Sequence, residues 1–356
     1  MKTALFYGGS DIRLEELPMP APGPGQVLLE VESCGVCGSD LNFYRGKFPL
    51  GTPELPQRKG HELAGTIVEV GAEVRRFARG QRVAVEPMHL NGCGDCRQCA
   101  RGDYNVCSSR RLGDFESAQS AGFSQFDVAD ESNVFALPAA VPTAVGAITD
   151  VYACGLHALN RAPLATANAV AIVGTGSVAM TAGQLLRLRG VHPVVMIGRR
   201  LEILATAIEV GAADLVIDSS AGDDTAAELR ELIAADGADV VLETVGAETT
   251  LGIAVEIAAA GGTIEVMGCF DGSVAIDYRQ GFLKELEFRI SNGYASWQGE
   301  RELELALEAL ASGQLDAEGL ISHRFALDAI GDAFATAADK KASGALKVLV
   351  EPQGAL

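Results

Sequence analysis

Ala169-Val170-Ala171-Ile172-Val173-Gly174-Thr175-Gly176-Ser177-Val178-Ala179 decides the architecture. The run of Ala, Val and Ile reads as a short, fully buried strand. The G-x-G-x-x-A turn that follows it opens a helix. Gly174 permits the tight turn, Gly176 lets the backbone approach a pyrophosphate, and the small Ala179 packs the helix against the strand. At the helix start, Ser177 and Val178 present free N–H groups and a partial positive charge to phosphate. Glycine-rich turns also arise without ligands. The strand–turn–helix setting is what gives this one its dinucleotide-binding reading.

Outward from this turn, apolar runs alternate with helical patterns. The runs are Ala169–Val173, Pro193–Ile197, Asp214–Ile217, Asp239–Leu242 and Thr263–Met267. Ala179–Arg189, Arg200–Val210 and Ala226–Ala235 carry the helical spacing between them. Such alternation implies a doubly wound parallel sheet covered on both faces, an α/β Rossmann domain. Before it, Asp150–Arg161 reads as a helix. Earlier still, Gln26–Glu32, Glu62–Val70 and Arg82–Glu86 read as short strands punctuated by Pro and Gly, the pattern of a β-rich domain. After residue 295 the chain is helical at Glu300–Ser312 and Ala329–Ala338 and ends in the strand-like Ala345–Val350.

The 356 residues suit two domains. No apolar run reaches the ~18 residues of a membrane span, and the N-terminus lacks a signal-peptide plan, so a cytoplasmic location is expected. A net charge of −19 repels nucleic acid and anionic lipid, leaving a small molecule as the expected partner. Eight cysteines in such a chain read as metal ligands or thiols rather than disulfides.

Cys93-x2-Cys96-x2-Cys99-x7-Cys107 is the most specific pattern. Four thiolates from one loop match a closed tetrahedral zinc site, and Gly92, Gly94 and Gly102 allow the loop to wrap. An iron–sulfur site or four buried thiols are the other readings. At the end of the second Rossmann strand, where a carboxylate would hold the ribose 2′-hydroxyl of NAD, the sequence has Gly198-Arg199-Arg200. Two guanidiniums without a carboxylate favour the 2′-phosphate of NADP. A solvated helix start, or NAD held by other contacts, is the alternative.

Cys34-Gly35-Val36-Cys37-Gly38-Ser39-Asp40, then Gly60-His61-Glu62, then the four-cysteine loop and the glycine turn together resemble the ordered signature of zinc-containing medium-chain alcohol dehydrogenases. The resemblance spans essentially the whole chain and looks closest to the polyol, threonine and sugar-alcohol branch. It implies a GroES-like catalytic domain over 1–153 with a zinc lobe near 92–108, a Rossmann domain over 154–295, and a return to the catalytic domain over 296–356. Two zincs per subunit are implied. The catalytic one would lie on Cys37, His61 and Asp150, with Glu62 as a neighbouring carboxylate able to approach the metal. Asp150 also suits a helix N-cap. Ser39 matches the family's proton-relay hydroxyl. Asn42 stands where much of the family has a histidine, so the relay must end elsewhere, with ordered water and the cofactor ribose as candidates. Lys347 matches a cation that contacts the pyrophosphate, or is a surface lysine.

The resemblance further places pocket walls around Phe43–Phe48, Leu112–Phe115 and Phe270–Trp297, with Tyr44, Asp114, Glu116 and Tyr294 among them. A secondary alcohol on a polyol, sugar, cyclitol or aminosugar is the substrate expected from these groups, and a threonine-like amino alcohol is the competitor. A zinc-free quinone or enoyl reductase, or a non-catalytic scaffold, would have no use for Cys37, His61 and Asp150. The resemblance also implies a homodimer or homotetramer, with the sheet edge near Glu287–Ser291 as the candidate contact. His89, His157, His192 and His323 fall outside the motifs.

Overall fold

The computed structural model describes residues 1–47, 54–87, 91–109, 121–220 and 224–354. The chain forms two compact units. The first comprises Met1–Asp150, Ala295–Gly313 and Ile321–Leu356; the second comprises Val151–Tyr294 and Gln314–Leu320. The first crossing therefore falls within helix Thr149–Arg161, three residues before the expected 153/154 boundary. Residues 314–320 group with the second unit, inside the stretch expected as the C-terminal return. Among the described residues no helix is long and apolar enough to cross a membrane.

The second unit is the expected doubly wound sheet. Its six parallel strands lie in the order Leu215–Asp218, Val194–Gly198, Val170–Val173, Ala238–Glu243, Ala258–Val266 and Glu287–Ile290. The first strand in sequence is central, and strand order reverses there, which is where such sheets bind ligands at their carboxyl ends. Val173, Ile197, Val241 and Ile264 pack on one face against Leu229, Leu251 and Val255 from the helices. Burial on both faces explains why these strands read as continuous apolar runs.

The first unit is β-rich. Its main sheet runs Ile321–Ala326, Lys347–Glu351, Gln26–Gly35, Glu62–Val70, Arg82–Val85 and Val134–Ala136, with Phe126–Asp130 also paired to Gln26–Gly35. Phe6, Phe43, Phe123 and Phe334 form an aromatic cluster within its core. Gln26–Gly35 is the organising strand: it pairs antiparallel with Glu62–Val70 and with Lys347–Glu351. Only Glu302–Ala311 of the expected helix Glu300–Ser312 is helical, because Glu300–Arg301 pairs with Ser296–Trp297 as a short hairpin.

Gly183 lies inside helix Ser177–Leu188, where helix propensity alone would reward alanine by about 1 kcal/mol. A Cβ there would sit 1.9 Å from the Ala212 carbonyl oxygen, and backbone cannot easily yield. The contact outweighs the propensity. Gly183→Ala should therefore destabilise the protein by about 1–3 kcal/mol in denaturant titration, whereas a stabilised variant would show that the helix can shift.

Candidate active site

Strand Gln26–Gly35 ends with Gly35 opposite Glu62 and Leu349 opposite Gly35. That register carries Cys37, His61, Glu62 and Lys347 to one end of three adjacent strands. Ligand atoms of Cys37, His61 and Glu62 all lie within 4.8 Å of one another. His61 and Glu62 are buried and Cys37 is half-buried. Gly60 turns the chain into this position at φ +105°, and a Cβ there would strike Cys34 Sγ at 2.7 Å. At Gly35 a Cβ would lie 2.0 Å from Glu62 Oε2, so the missing side chain is what lets the carboxylate lie across the strand.

The surroundings hold these groups in place. Asp40 is buried, accepts the Cys37 backbone N–H at 3.0 Å and faces His61 Nδ1 at 3.8 Å. At 3.8 Å this is an ion-pair contact rather than a hydrogen bond, and it favours positive charge on the imidazole. Burial pushes the Asp40 carboxyl upward, against the pull of His61 and the Cys37 N–H. Burial also opposes charge on His61, but Cys37, Asp40 and Asp150 together carry its pKa well above the usual value. A thiolate, an imidazole and a carboxylate at this separation fit zinc.

Lys347 has a carboxylate partner in this structure. It is 2 % exposed, and its Nζ donates to Glu62 Oε1 at 2.8 Å and Oε2 at 2.6 Å, and to the Val36 carbonyl at 3.3 Å. Burial disfavours the ammonium, yet Glu62, Cys37 and Asp150 outweigh that penalty and raise its pKa. In this structure the cation is committed to a carboxylate, since a buried charge needs a hydrogen-bonded counter-charge. Asp150 is buried and acts electrostatically on both His61 and Lys347, while the tight three-residue group is Cys37, His61 and Glu62. Ser39 is exposed on helix Gly38–Tyr44, one turn before the half-buried Asn42.

The second cluster is Cys93, Cys96, Cys99 and Cys107, again with all sulfurs within 4.8 Å. A Cβ at Gly92 would lie 2.4 Å from Cys99 Sγ, while Gly94 and Gly102 take φ of +79° and +87°. Backbone N–H groups of Cys99 and Ser108 pull the Cys96 thiol down to about 5, and burial pushes Cys99 up to about 12. A thiolate is thus ready for a metal at neutral pH. The sequence reading missed what holds this lobe. Tyr104 Oη lies 2.8 Å from Glu86 Oε1 and 2.9 Å from the Ala295 carbonyl, and accepts from Arg301 Nε at 2.9 Å. Arg301 is ion-paired with the buried Glu86 and lies over the Tyr104 ring. Isolated Glu, Tyr and Arg residues far apart in sequence carry no spacing signal that could have revealed this latch.

In the second unit, Gly174 has φ +124° and no room for a side chain beside Thr244. Gly176 caps helix Ser177–Leu188, and a Cβ there would meet nothing within 4 Å, which leaves open space beside the helix N-terminus. Ser177 and Val178 begin that helix. This cradle fits a pyrophosphate. Gly198 is buried at its strand end, Arg199 is exposed and Arg200 is half-buried.

The residues 23–139 match the family model for the alcohol dehydrogenase GroES-like domain, and 177–312 match that for zinc-binding dehydrogenase. The chain belongs to the zinc-containing medium-chain alcohol dehydrogenase family. Sorbitol dehydrogenase of Halalkalibacterium halodurans is 31% identical over 353 residues, covering 97% of each chain. A zinc-binding dehydrogenase from Sinorhizobium meliloti, solved with NADP, has a TM-score of 0.85 at 29% identity, over 99% of each chain. An Escherichia coli alcohol dehydrogenase solved with NADH has a TM-score of 0.86 at 26% identity, also over 99% of each. This medium-chain dehydrogenase is accordingly a zinc-type, NAD(P)-dependent alcohol dehydrogenase.

Other expected positions sort as follows. Tyr44 packs against Phe334 at 5.5 Å, and Tyr294 is 1 % exposed and so cannot serve as an exposed wall. Phe48, Leu112–Phe115, Asp114, Glu116 and His89 lie outside the described residues. His157 is packed near Arg161, His192 pairs with Asp214, and His323 faces Ser322.

Lys347→Met should strand the Glu62 carboxylate in a buried site and cost the zinc-free protein about 3–5 kcal/mol, read by denaturant unfolding. Adding Glu62→Gln should recover much of that loss. A single variant as stable as wild type would mean that Glu62 reaches water or another cation.

Proposed function

We propose that the enzyme interconverts a secondary alcohol and its ketone on a polyol, sugar, cyclitol or aminosugar, with NADP preferred over NAD and two zincs per chain. The observation that carries this reading is the convergence of Cys37, His61 and Glu62 at one strand end, beside a separate four-cysteine lobe. The likeness to a sorbitol dehydrogenase supports the polyol class.

Cys37 and His61, with Asp150 and the neighbouring Glu62 as carboxylate donors, would hold a zinc that would supply Lewis-acid polarisation of the substrate oxygen, and a nicotinamide would exchange the hydride. The chain's own residues do the rest. Asp40 orients His61, and Lys347 fixes the direction of the Glu62 carboxylate. Asp150 adds negative charge to the same centre. Ser39 Oγ takes the substrate hydroxyl proton while passing on its own. Asn42 has no basic atom at neutral pH, so ordered water or the cofactor ribose receives that proton.

The two liganded structural relatives carry different nicotinamide cofactors, so the NADP preference rests on this chain's own residues. Gly198 supplies no carboxylate, and the exposed Arg199 can pair with a 2′-phosphate. Arg200 follows it at the start of helix Leu201–Glu209. A homodimer or homotetramer is supported by strand Glu287–Ile290 at the sheet edge. Ile290 is 72 % exposed there, and nearby Tyr278, Phe282 and Leu283 are also exposed. Apolar sheet edges of this kind are usually covered.

Turnover of a polyol and aminosugar panel with NADP, together with two zincs per chain by elemental analysis, is the expected outcome. Zinc-loaded protein without turnover on any secondary alcohol would overturn the substrate reading. Sedimentation velocity should give a dimer or tetramer that Ile290→Glu shifts toward monomer; a wild-type monomer at micromolar concentration would remove that part of the proposal.

A further inference from the structure

Gly198 closes strand Val194–Gly198, and its φ lies outside the left-handed region, so its backbone suits any residue. What excludes a side chain is a single methyl. A Cβ built on Gly198 would lie 2.3 Å from Thr175 Cγ2, a distance that real Cβ atoms essentially never show. The other neighbours are tolerable: Leu204 Cδ2 at 3.4 Å and Thr175 Cβ at 3.5 Å. Thr175 is the middle residue of the Gly174-Thr175-Gly176 turn and is buried. Its branched Cβ occupies two of the three staggered positions, so little freedom remains to clear the space. The Thr175 methyl therefore fills the volume in which a side chain at position 198 would begin.

We propose that Thr175 is a specificity-determining residue, which holds position 198 to glycine and so excludes the acidic side chain that would bind the ribose 2′-hydroxyl of NAD. The inference rests on the NADP reading of Arg199 and Arg200, and it adds a second position to it. An acidic residue at 198 is the ordinary device for NAD in such sheets. Here that residue can enter only if the Thr175 side chain gives way. Thr175→Ala removes Cγ2 and keeps every backbone N–H of the phosphate cradle.

The test is a double-mutant cycle over wild type, Thr175→Ala, Gly198→Asp and the double variant. Two quantities are read: the thermal midpoint without cofactor, and NADH and NADPH binding by nicotinamide fluorescence. Gly198→Asp alone should lower the midpoint by about 5 °C and gain little NADH affinity. The double variant should return to within about 1 °C of Thr175→Ala and bind NADH about tenfold tighter than Gly198→Asp alone. Gly198→Asp with a wild-type midpoint and the full gain in NADH binding would overturn the proposal. So would coupled stability with no gain in NADH binding by the double variant. Wild-type protein that binds NADH as well as NADPH would sink the NADP reading by itself, and the cycle would still decide the role of Thr175.

Discussion

The register of one antiparallel ladder governs this protein. Gly35 stands opposite Glu62, and Leu349 stands opposite Gly35. Because Gln26–Gly35 lies between its two neighbours, the residues that continue past its end meet those that enter Glu62–Val70 and Lys347–Glu351. Cys37, His61, Glu62 and Lys347 come from three distant parts of the sequence, and the ladder delivers them to one place. A slip of one residue would turn Glu62 to the opposite face of the sheet. The convergence of these side chains is thus a consequence of strand pairing, with glycines at 35 and 60 removing the two side chains that would block it.

Charge is concentrated at this strand end, and two pairs of opposite charge stand there. Asp40 answers His61, and Lys347 answers Glu62. Isolated in a low-dielectric interior, any one of them would be costly; paired and hydrogen-bonded, they persist. The four-cysteine lobe follows the same logic through Glu86, Tyr104 and Arg301. Burial drives the Arg301 guanidinium down to about 10, so it stays charged against Glu86 at neutral pH. That latch ties the lobe to Ala295, the residue at which the chain re-enters the first unit.

Much of this was legible in the sequence, for identifiable reasons. The Rossmann strands announced themselves because burial on two faces forces unbroken apolar runs, and the four-cysteine lobe because its ligands are close in sequence. Cys37 and His61 were legible through short motifs that carry their own turn glycines. The close approach of Glu62 to Cys37 and His61 was not legible, since it depends on side-chain direction at a strand end. Nor was the partner of Lys347, which is set by a pairing between residues 285 positions apart. The crossing between units, placed at 153 from the motif, falls earlier because helix Thr149–Arg161 runs through it without a break in pattern.

The most direct measurement is anomalous X-ray scattering at the zinc edge from crystals of the protein. Two peaks per chain are predicted. One should be enclosed by Cys93, Cys96, Cys99 and Cys107, and the other should lie about 2.3 Å from Cys37 Sγ and about 2.1 Å from a His61 nitrogen, with Glu62 facing it. A filled cysteine lobe with no peak between Cys37 and His61 would contradict the account, because the strand-end constellation would then hold no metal.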